Sequence, residues 1–511
     1  MEKKTRQQFF LALVFASVIA INLIENIPLI KFQNFSFHTD IARDFFLIKD
    51  VVDSKKPSLV GPRVGEISGL FHGPAWTYLN LPVFLIFKGD PIAQNYFYLA
   101  LTLIAEMILF FVTKKIFGTQ AAAVSIVIYA LKINDWVGNF FHPFGAIIFS
   151  PLFFYFFYQI GKEKTSKKIN FLFLGLFGGI LAQFQLGFGL PLIIIAGVKI
   201  FFQFLKKEIH LSETGLFLLG LIISLANFII FDFRHDFLQG KAVWSFLHQL
   251  GRSKLNLAVL IKNRIEIMTY SGLGFFKGAW SFLLLIIFLS VLVILSRKNK
   301  EKVYQDFLFL FLGFWILTGV NFGKLQSYHY WALIPISIMI ISSLTKFFPK
   351  KTPFIIIFCL ALNANLFIKN FSLLRQTPED LHLDQSSWRF ISQAARTIFQ
   401  DAENDFGYFA YTPDLYSYSP RYAMEYWNQF YPYQAHAFEK KPVTYLLIFS
   451  PPQDKPWLEG SWWAKNQVNV KKDPEKTMAF DNDFRIEKYL LSEEEIKIPS
   501  DPNLINSTYF R

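Results

Sequence analysis

Cysteine is almost absent from this chain. The one thiol among 511 residues, Cys359, lies in an apolar run, which excludes an intrachain disulfide and any metal site built from several thiolates. Charge is scarce as well. Charged residues are 17% of the chain, against roughly a quarter in soluble domains, while 53% are hydrophobic and 18% aromatic, with 62 phenylalanines. Such a composition calls for lipid. Walker loops, HExxH, GxSxG and paired CxxC motifs are all missing, which removes the main support for nucleotide-driven, zinc-peptidase and serine-hydrolase chemistry. Acidic residues are outnumbered, 38 to 51, for a formal charge of +13. The Lys and Arg sit in short clusters between apolar runs, so they speak for membrane topology and against a nucleic-acid face.

Apolar stretches near the length that crosses a bilayer fall at 9–30, 91–112, 119–133, 144–160, 169–183, 188–205, 213–231, 272–295, 304–321, 331–345 and 353–370, about eleven in all. The opening MEKKTRQQ leads into the first run with no small-residue cleavage site after it, so that run is expected to stay as a span. Short basic loops mark the cytoplasmic side. With Lys3, Lys4 and Arg6 inside, every second loop should be basic, and Lys114/Lys115, Lys162 to Lys168, Lys206/Lys207, Arg297 to Lys302 and Lys346 to Lys351 all alternate correctly. An odd number of spans then places the C-terminus outside, so a multi-pass protein of the plasma membrane is expected.

The outer loops 31–90 and 232–271 are long and mix acidic, basic, His and aromatic residues, so chemistry is expected there. Within the first, HGPAWTYLNLPVFLIF (72–87) is too short and proline-interrupted to span comfortably and should lie in the interface or re-enter; the competing reading, a twelfth span, would break the charge alternation at Lys114. Residues 1–371 thus form an expected transmembrane domain. From about 372 the composition changes: SSWRFISQAARTIFQDA has the period of an amphipathic helix, and VTYLLIFS and FRIEKYLL read as strands. The fold class expected is an α-helical polytopic membrane protein with a small C-terminal α/β extracytoplasmic domain, 372–511.

The stretch FHTDIARDFFLIKD (37–50) puts Asp40, Arg43 and Asp44 at i, i+3 and i+4, on one face of a helix. A carboxylate beside a guanidinium suits base catalysis near an anionic phosphate; an ordinary helix-surface ion pair is the competing reading. The string from Phe37 to Pro91, with its early Asp-x-x-Arg, a Gly-Pro and a second Gly-Pro followed by aromatics, resembles the first external loop of the C-type membrane glycosyltransferases, the protein O-mannosyltransferase and aminoarabinose-transferase superfamily. The resemblance implies that Asp40 is the catalytic base, that Arg43 contacts donor phosphate, and that sugar comes from a polyprenyl phosphate. DWVGNFFHPFGAIIF (135–149), FDFRHDF (231–237) and SYHYWALIPI (327–336) are similar to the later outer loop ends, with His142-Pro143 where relatives often carry Asn-Pro. Where relatives that transfer aminoarabinose carry a Lys, this chain has Phe71-His72-Gly73-Pro74.

The reaction expected is an inverting transfer from a polyprenyl-phosphate-linked sugar to a glycan, lipid or protein acceptor. Asp40 deprotonates the acceptor, and Arg43, with Arg234 or His72, stabilises the leaving phosphate. Asp44, Asp135, His142, His235, Tyr328 and His329 are candidate substrate contacts, against bland readings as helix-end or aromatic-belt residues. No cofactor and no dedicated metal site are expected, since arginines can neutralise the phosphate; the loop carboxylates leave room for a divalent ion, as in some related oligosaccharyl transferases. A transporter or flippase of lipid-linked sugars would use the same cavity and charges, but no internal repeat is visible. A non-catalytic scaffold is the third reading.

Overall fold

A computed structural model describes residues 2–504 apart from 66, 134–137, 163–167, 251–260, 263–266, 268–278, 299–300, 320–325, 363–367, 369–370, 373–383, 415, 452–459 and 481–482. Helices dominate its first three-quarters: α1 (Glu2–Lys31), α2 (Thr39–Ser54), α3 (Ala75–Ile86), α4 (Pro91–Phe117), α5 (Thr119–Ile133), α6 (Pro143–Gln159), α7 (Ile169–Phe184), α8 (Leu186–Leu205), α9 (Leu211–Arg234), α10 (Leu238–Leu250), α11 (Ala279–Lys298), α12 (Lys302–Gly319), α13 (Leu333–Ser343) and α14 (Thr352–Leu362). Every apolar stretch anticipated as a span carries one of these helices over its described part.

By length and composition α1, α4, α8 and α9 can each cross a bilayer alone, and Leu333–Phe347 with Pro349–Ala361 meets the same test as a pair bent by 111°. The other apolar helices are shorter than that test requires, so among the described residues four or five of the eleven expected spans meet it, enough for a polytopic membrane protein. Helix α3, 12 residues with Pro82 inside, rises only about 18 Å, too little for a hydrocarbon core of about 30 Å. Its end leaves Leu85, Ile86 and Phe87 exposed.

Phenylalanine and glycine together make the helix packing. Phe144, Phe153, Phe154 and Phe157 of α6 are buried with Phe188 of α8 and Phe307, Phe311 and Phe314 of α12. In lipid, where apolar surface gains nothing by leaving solvent, such contacts and close backbone approach hold helices together. Helices α7 and α9 approach through small residues: a Cβ on Gly175 would stand 2.1 Å from the Phe217 carbonyl oxygen, and one on Gly220 2.2 Å from that of Leu172.

Residues from 384 onward build α15 (Trp388–Asp401), β1 (Phe406–Tyr411), α16 (Tyr418–Asn428), β2 (Ala435–Ala437), β3 (Val443–Ile448), β4 (Lys476–Ala479) and β5 (Arg485–Leu490). The sheet order is β2-β1-β3-β5-β4, with β1 parallel to β2 and β3 and the β3–β5 and β5–β4 pairs antiparallel. This unit is not tethered loosely. The Trp388 N–H donates to the Phe35 carbonyl at 3.0 Å and the Phe37 N–H to that of Ser386 at 2.7 Å. Phe37, Phe45 and Phe46 of the first loop and α2 share one buried cluster with Trp388, Tyr418 and Tyr422. The Tyr422 hydroxyl donates to the Gly89 carbonyl at 2.7 Å, just ahead of α4. Helix α2 is therefore held between the membrane helices and the sheet unit.

Candidate active site

The site grows from the first turn of α2. His38 caps the helix, its Nδ1 accepting from the Asp40 N–H at 3.2 Å, so its Nε2 carries the proton and donates to Asn139 Oδ1 at 2.7 Å. Asp40 then sits in the first turn, where the helix dipole favours a negative charge. Ile41, Ala42, Phe45, Phe46 and Ile48 are buried and fix the rotation of the helix.

Arg43 links two unlike carboxylates. Its Nη1 lies 2.7 Å from Asp40 Oδ1 and its Nη2 3.4 Å from Asp44 Oδ1. The Asp40 side chain is 39% exposed and that of Asp44 only 4%. Asp44 Oδ2 also accepts from the His142 N–H at 3.0 Å and meets His142 Nδ1 at 3.3 Å, pinning α2 to the start of α6. The His142 ring lies 4.7 Å, centroid to centroid, from His72, whose Nδ1 accepts from the Leu186 N–H at 3.3 Å, at the start of α8. His72 therefore presents its Nε2 as a donor.

Burial sets the charges. It pushes the Asp44 carboxyl up to about 6, against the opposing pull of Arg43 and the His142 N–H. Burial works against the Arg43 cation too, but Asp44 and Asp40 more than offset it and hold the guanidinium above its ordinary value. His72 and His142 are driven well below the usual histidine range, first by burial and then by neighbouring positive groups, so both are neutral at pH 7. One permanent cation thus faces two carboxylates among neutral imidazoles. The Nε of Arg43 is buried and has no hydrogen-bond partner among the described residues.

Sequence candidates fall into three groups. Asp40, Arg43, Asp44, His72 and His142 come together as described, and His329 joins them beside Gly187, within electrostatic reach of both other histidines. Tyr328 stacks edge-on against Phe141 at 5.5 Å, next to His142. Arg234 is exposed at the end of α9, and His235 lies flat on Phe231 at 4.1 Å, whose ring meets Phe71 at 5.6 Å. Through Phe231, His235 thus backs onto Phe71, the neighbour of His72. Asp135 lies outside the described residues, as does most of 251–278.

Several polar residues of the site carried no sequence signal. Gln239 accepts from the Phe71 N–H at 3.0 Å and ties α10 to the first loop. Gln183 packs against Gly73, its carbonyl accepting the Gly73 N–H at 2.8 Å. Asp414, from the sheet unit, accepts the hydroxyl proton of Thr39, the neighbour of Asp40. Among the described residues, no three His, Cys, Asp or Glu side chains are arranged to hold a metal ion.

The architecture, apolar helices followed by a small sheet unit, is shared with solved membrane glycosyltransferases. ArnT from Cupriavidus metallidurans in its apo state superposes with a TM-score of 0.58 at 9% identity, over 94% of this chain and 98% of that one. The same protein bound to undecaprenyl phosphate gives 0.57 at 9% identity, over 96% and 99%. The Archaeoglobus fulgidus oligosaccharyltransferase aligns at 0.48 and 13% identity; the chain covers 62% of its length. No protein-family model and no curated protein matches the sequence. The likeness is one of fold.

Proposed function

We propose that this protein is a membrane glycosyltransferase that moves a sugar from a polyprenyl phosphate to an acceptor hydroxyl or amine at the outer face of the plasma membrane. The observation that carries the reading is the Asp40–Arg43 pair at 2.7 Å, with Arg43 Nε buried and unpartnered, set on a fold that in ArnT binds undecaprenyl phosphate. An ion pair made only to stabilise a helix has no need of a buried free donor. A phosphate oxygen would fill that role with a charge-assisted hydrogen bond.

In the proposed reaction the acceptor O–H or N–H gives its proton to Asp40 and its lone pair to the anomeric carbon, while the bond from that carbon to the phosphate oxygen breaks. The electrons of that bond leave on polyprenyl phosphate, whose charge Arg43 neutralises and to which the neutral His72 can donate through Nε2. Displacement from the face opposite the leaving group inverts the anomeric carbon. The N-terminus and the basic loops would face the cytoplasm, and residues 372–511 would lie outside, buttressing α2. Tyr328 and His329 would contact the substrate beside His142 and His72.

The purified protein in liposomes, given radiolabelled sugar on polyprenyl phosphate and a cell-envelope fraction, tests this. Label should pass to envelope material with one free polyprenyl phosphate released per sugar transferred. Translocation of intact lipid-linked sugar without that release would establish a transporter instead, and neither event would leave a scaffold.

A further inference from the structure

The hairpin between α7 and α8 turns on a single residue, Gln185, with φ −151° and ψ 103° between two helices. Its side chain is 1% exposed, and both its amide oxygen and its amide nitrogen lack a hydrogen-bond partner among the described residues. Leaving a buried donor or acceptor unpaired costs about 1–3 kcal/mol, and few folded chains leave both ends of one amide so. The surroundings are those of the site. Leu186, the next residue, gives its N–H to His72, and Gly187, which is exposed, faces the His329 ring, 3.6 Å from where its Cβ would stand. The Gln185 carbonyl is occupied by the N–H groups of Phe188 and Gly189, so among its polar groups it is the side-chain amide that stands unpaired.

We propose that Gln185, at the N-terminus of α8, binds the sugar ring of the donor and takes part in selecting it. A primary amide offers one acceptor and one donor side, which matches two neighbouring ring hydroxyls, each able to accept and to donate. A phosphate would satisfy only the donor half. The two ends of the donor are thereby sorted by chemistry: the anionic link goes to the fixed charge of Arg43, and the uncharged polyol goes to Gln185, beside imidazoles that burial keeps neutral. This rests on the transferase reading above and adds to it the residue that reads the sugar.

Gln185→Leu keeps most of the side-chain volume and removes both polar atoms. Wild type and variant are compared with bare undecaprenyl phosphate and with a set of undecaprenyl-phosphate-linked pentoses and hexoses. Affinity for the best sugar-bearing lipid should fall about 10- to 100-fold, the loss expected when substrate hydroxyls are left unpaired. Affinity for bare undecaprenyl phosphate should stay within about twofold, and the melting temperature should hold or rise, because a buried unpaired amide has gone. Gln185→Asn, which keeps the amide but retracts it, should restore part of the discrimination and reorder the preferred sugars. Equal loss for bare and sugar-bearing lipid, or no loss for either, overturns the assignment. If wild type binds neither lipid, the transferase reading itself fails, and this inference with it.

Discussion

Two ion clusters stand at opposite ends of this helical bundle and are built on different plans. On the side carried by α8's C-terminal half, Lys199 Nζ lies 2.8 Å from Asp306 Oδ1, both side chains below 9% exposure, and the same ammonium donates to the Phe157 carbonyl at 2.6 Å. It also stands over the Phe157 ring, 4.0 Å from its centroid. One cation there meets one anion and is saturated by protein. At the start of α2 one guanidinium serves two carboxylates, one of them 39% exposed, and still carries a buried unpartnered Nε. In the first cluster the ammonium is fully engaged by protein, while Asp306 Oδ2 is buried and has no hydrogen-bond partner among the described residues. The second differs in exposure: its carboxylate Asp40 is open to solvent beside a buried unpartnered donor, whereas both partners of the first are buried.

Breaking the buried Lys199–Asp306 pair should cause the largest change. Lys199→Ala strands a buried carboxylate, and a loss of about 3–5 kcal/mol is expected, read as lowered thermal stability of the detergent-solubilised protein. Replacing both partners, Lys199→Met with Asp306→Leu, should restore most of it, with the turnover of folded protein unchanged. If the double variant stays folded but inactive, the two clusters are not independent and the comparison fails.

Arg43→Ala comes next. Loss of hydrogen bonds to a charged group costs about 1.5–3 kcal/mol, so donor affinity should fall about 10- to 100-fold, and turnover should fall with it. An unchanged donor affinity would make Arg43 a mere helix-surface partner. Asp44 gives the smallest effect and the one readable by pH. Its carboxyl sits near 6 because burial raises it, so it is ionised at pH 7 and takes up a proton as pH falls through about 6. Its hold on His142 and Arg43 then weakens, and kcat/KM should drop on the acid side of about pH 6. Asp44→Asn should be slower at neutral pH, by about tenfold or less, and should lack that acid limb. A limb that persists in Asp44→Asn belongs to another group.

Much of this was legible in the residues because the signals are local. Asp40, Arg43 and Asp44 at i, i+3 and i+4 announce a shared helix face, and the amphipathic period of 386–402 and the runs VTYLLIFS and FRIEKYLL mark α15, β3 and β5 before any fold is known. What stayed hidden depends on distant contacts. Strand β1, FGYFAY, is buried at all six positions and has no period-two alternation to show it. Strand β2 has three residues, too few for any pattern. The α7–α8 turn carries no glycine-proline signal at Gln185, so nothing local singles that residue out between the runs 169–183 and 188–205. The meeting of His142 with Asp44 joins residues 98 apart in sequence. Phe35, Phe37 and Trp388, which clamp the sheet unit onto α2, read separately as ordinary aromatics.

The central claim is that Asp40 is the base of a sugar transfer, and Asp40→Asn tests it most directly. The change keeps size and shape, and His38 still caps the helix, but the basic oxygen is gone. Sugar transfer in liposomes, measured beside equilibrium binding of the polyprenyl-phosphate sugar, should fall about 100- to 10,000-fold while donor affinity stays within a few-fold of wild type. Wild-type turnover from Asp40→Asn would contradict the account and send the search for the base to Asp44.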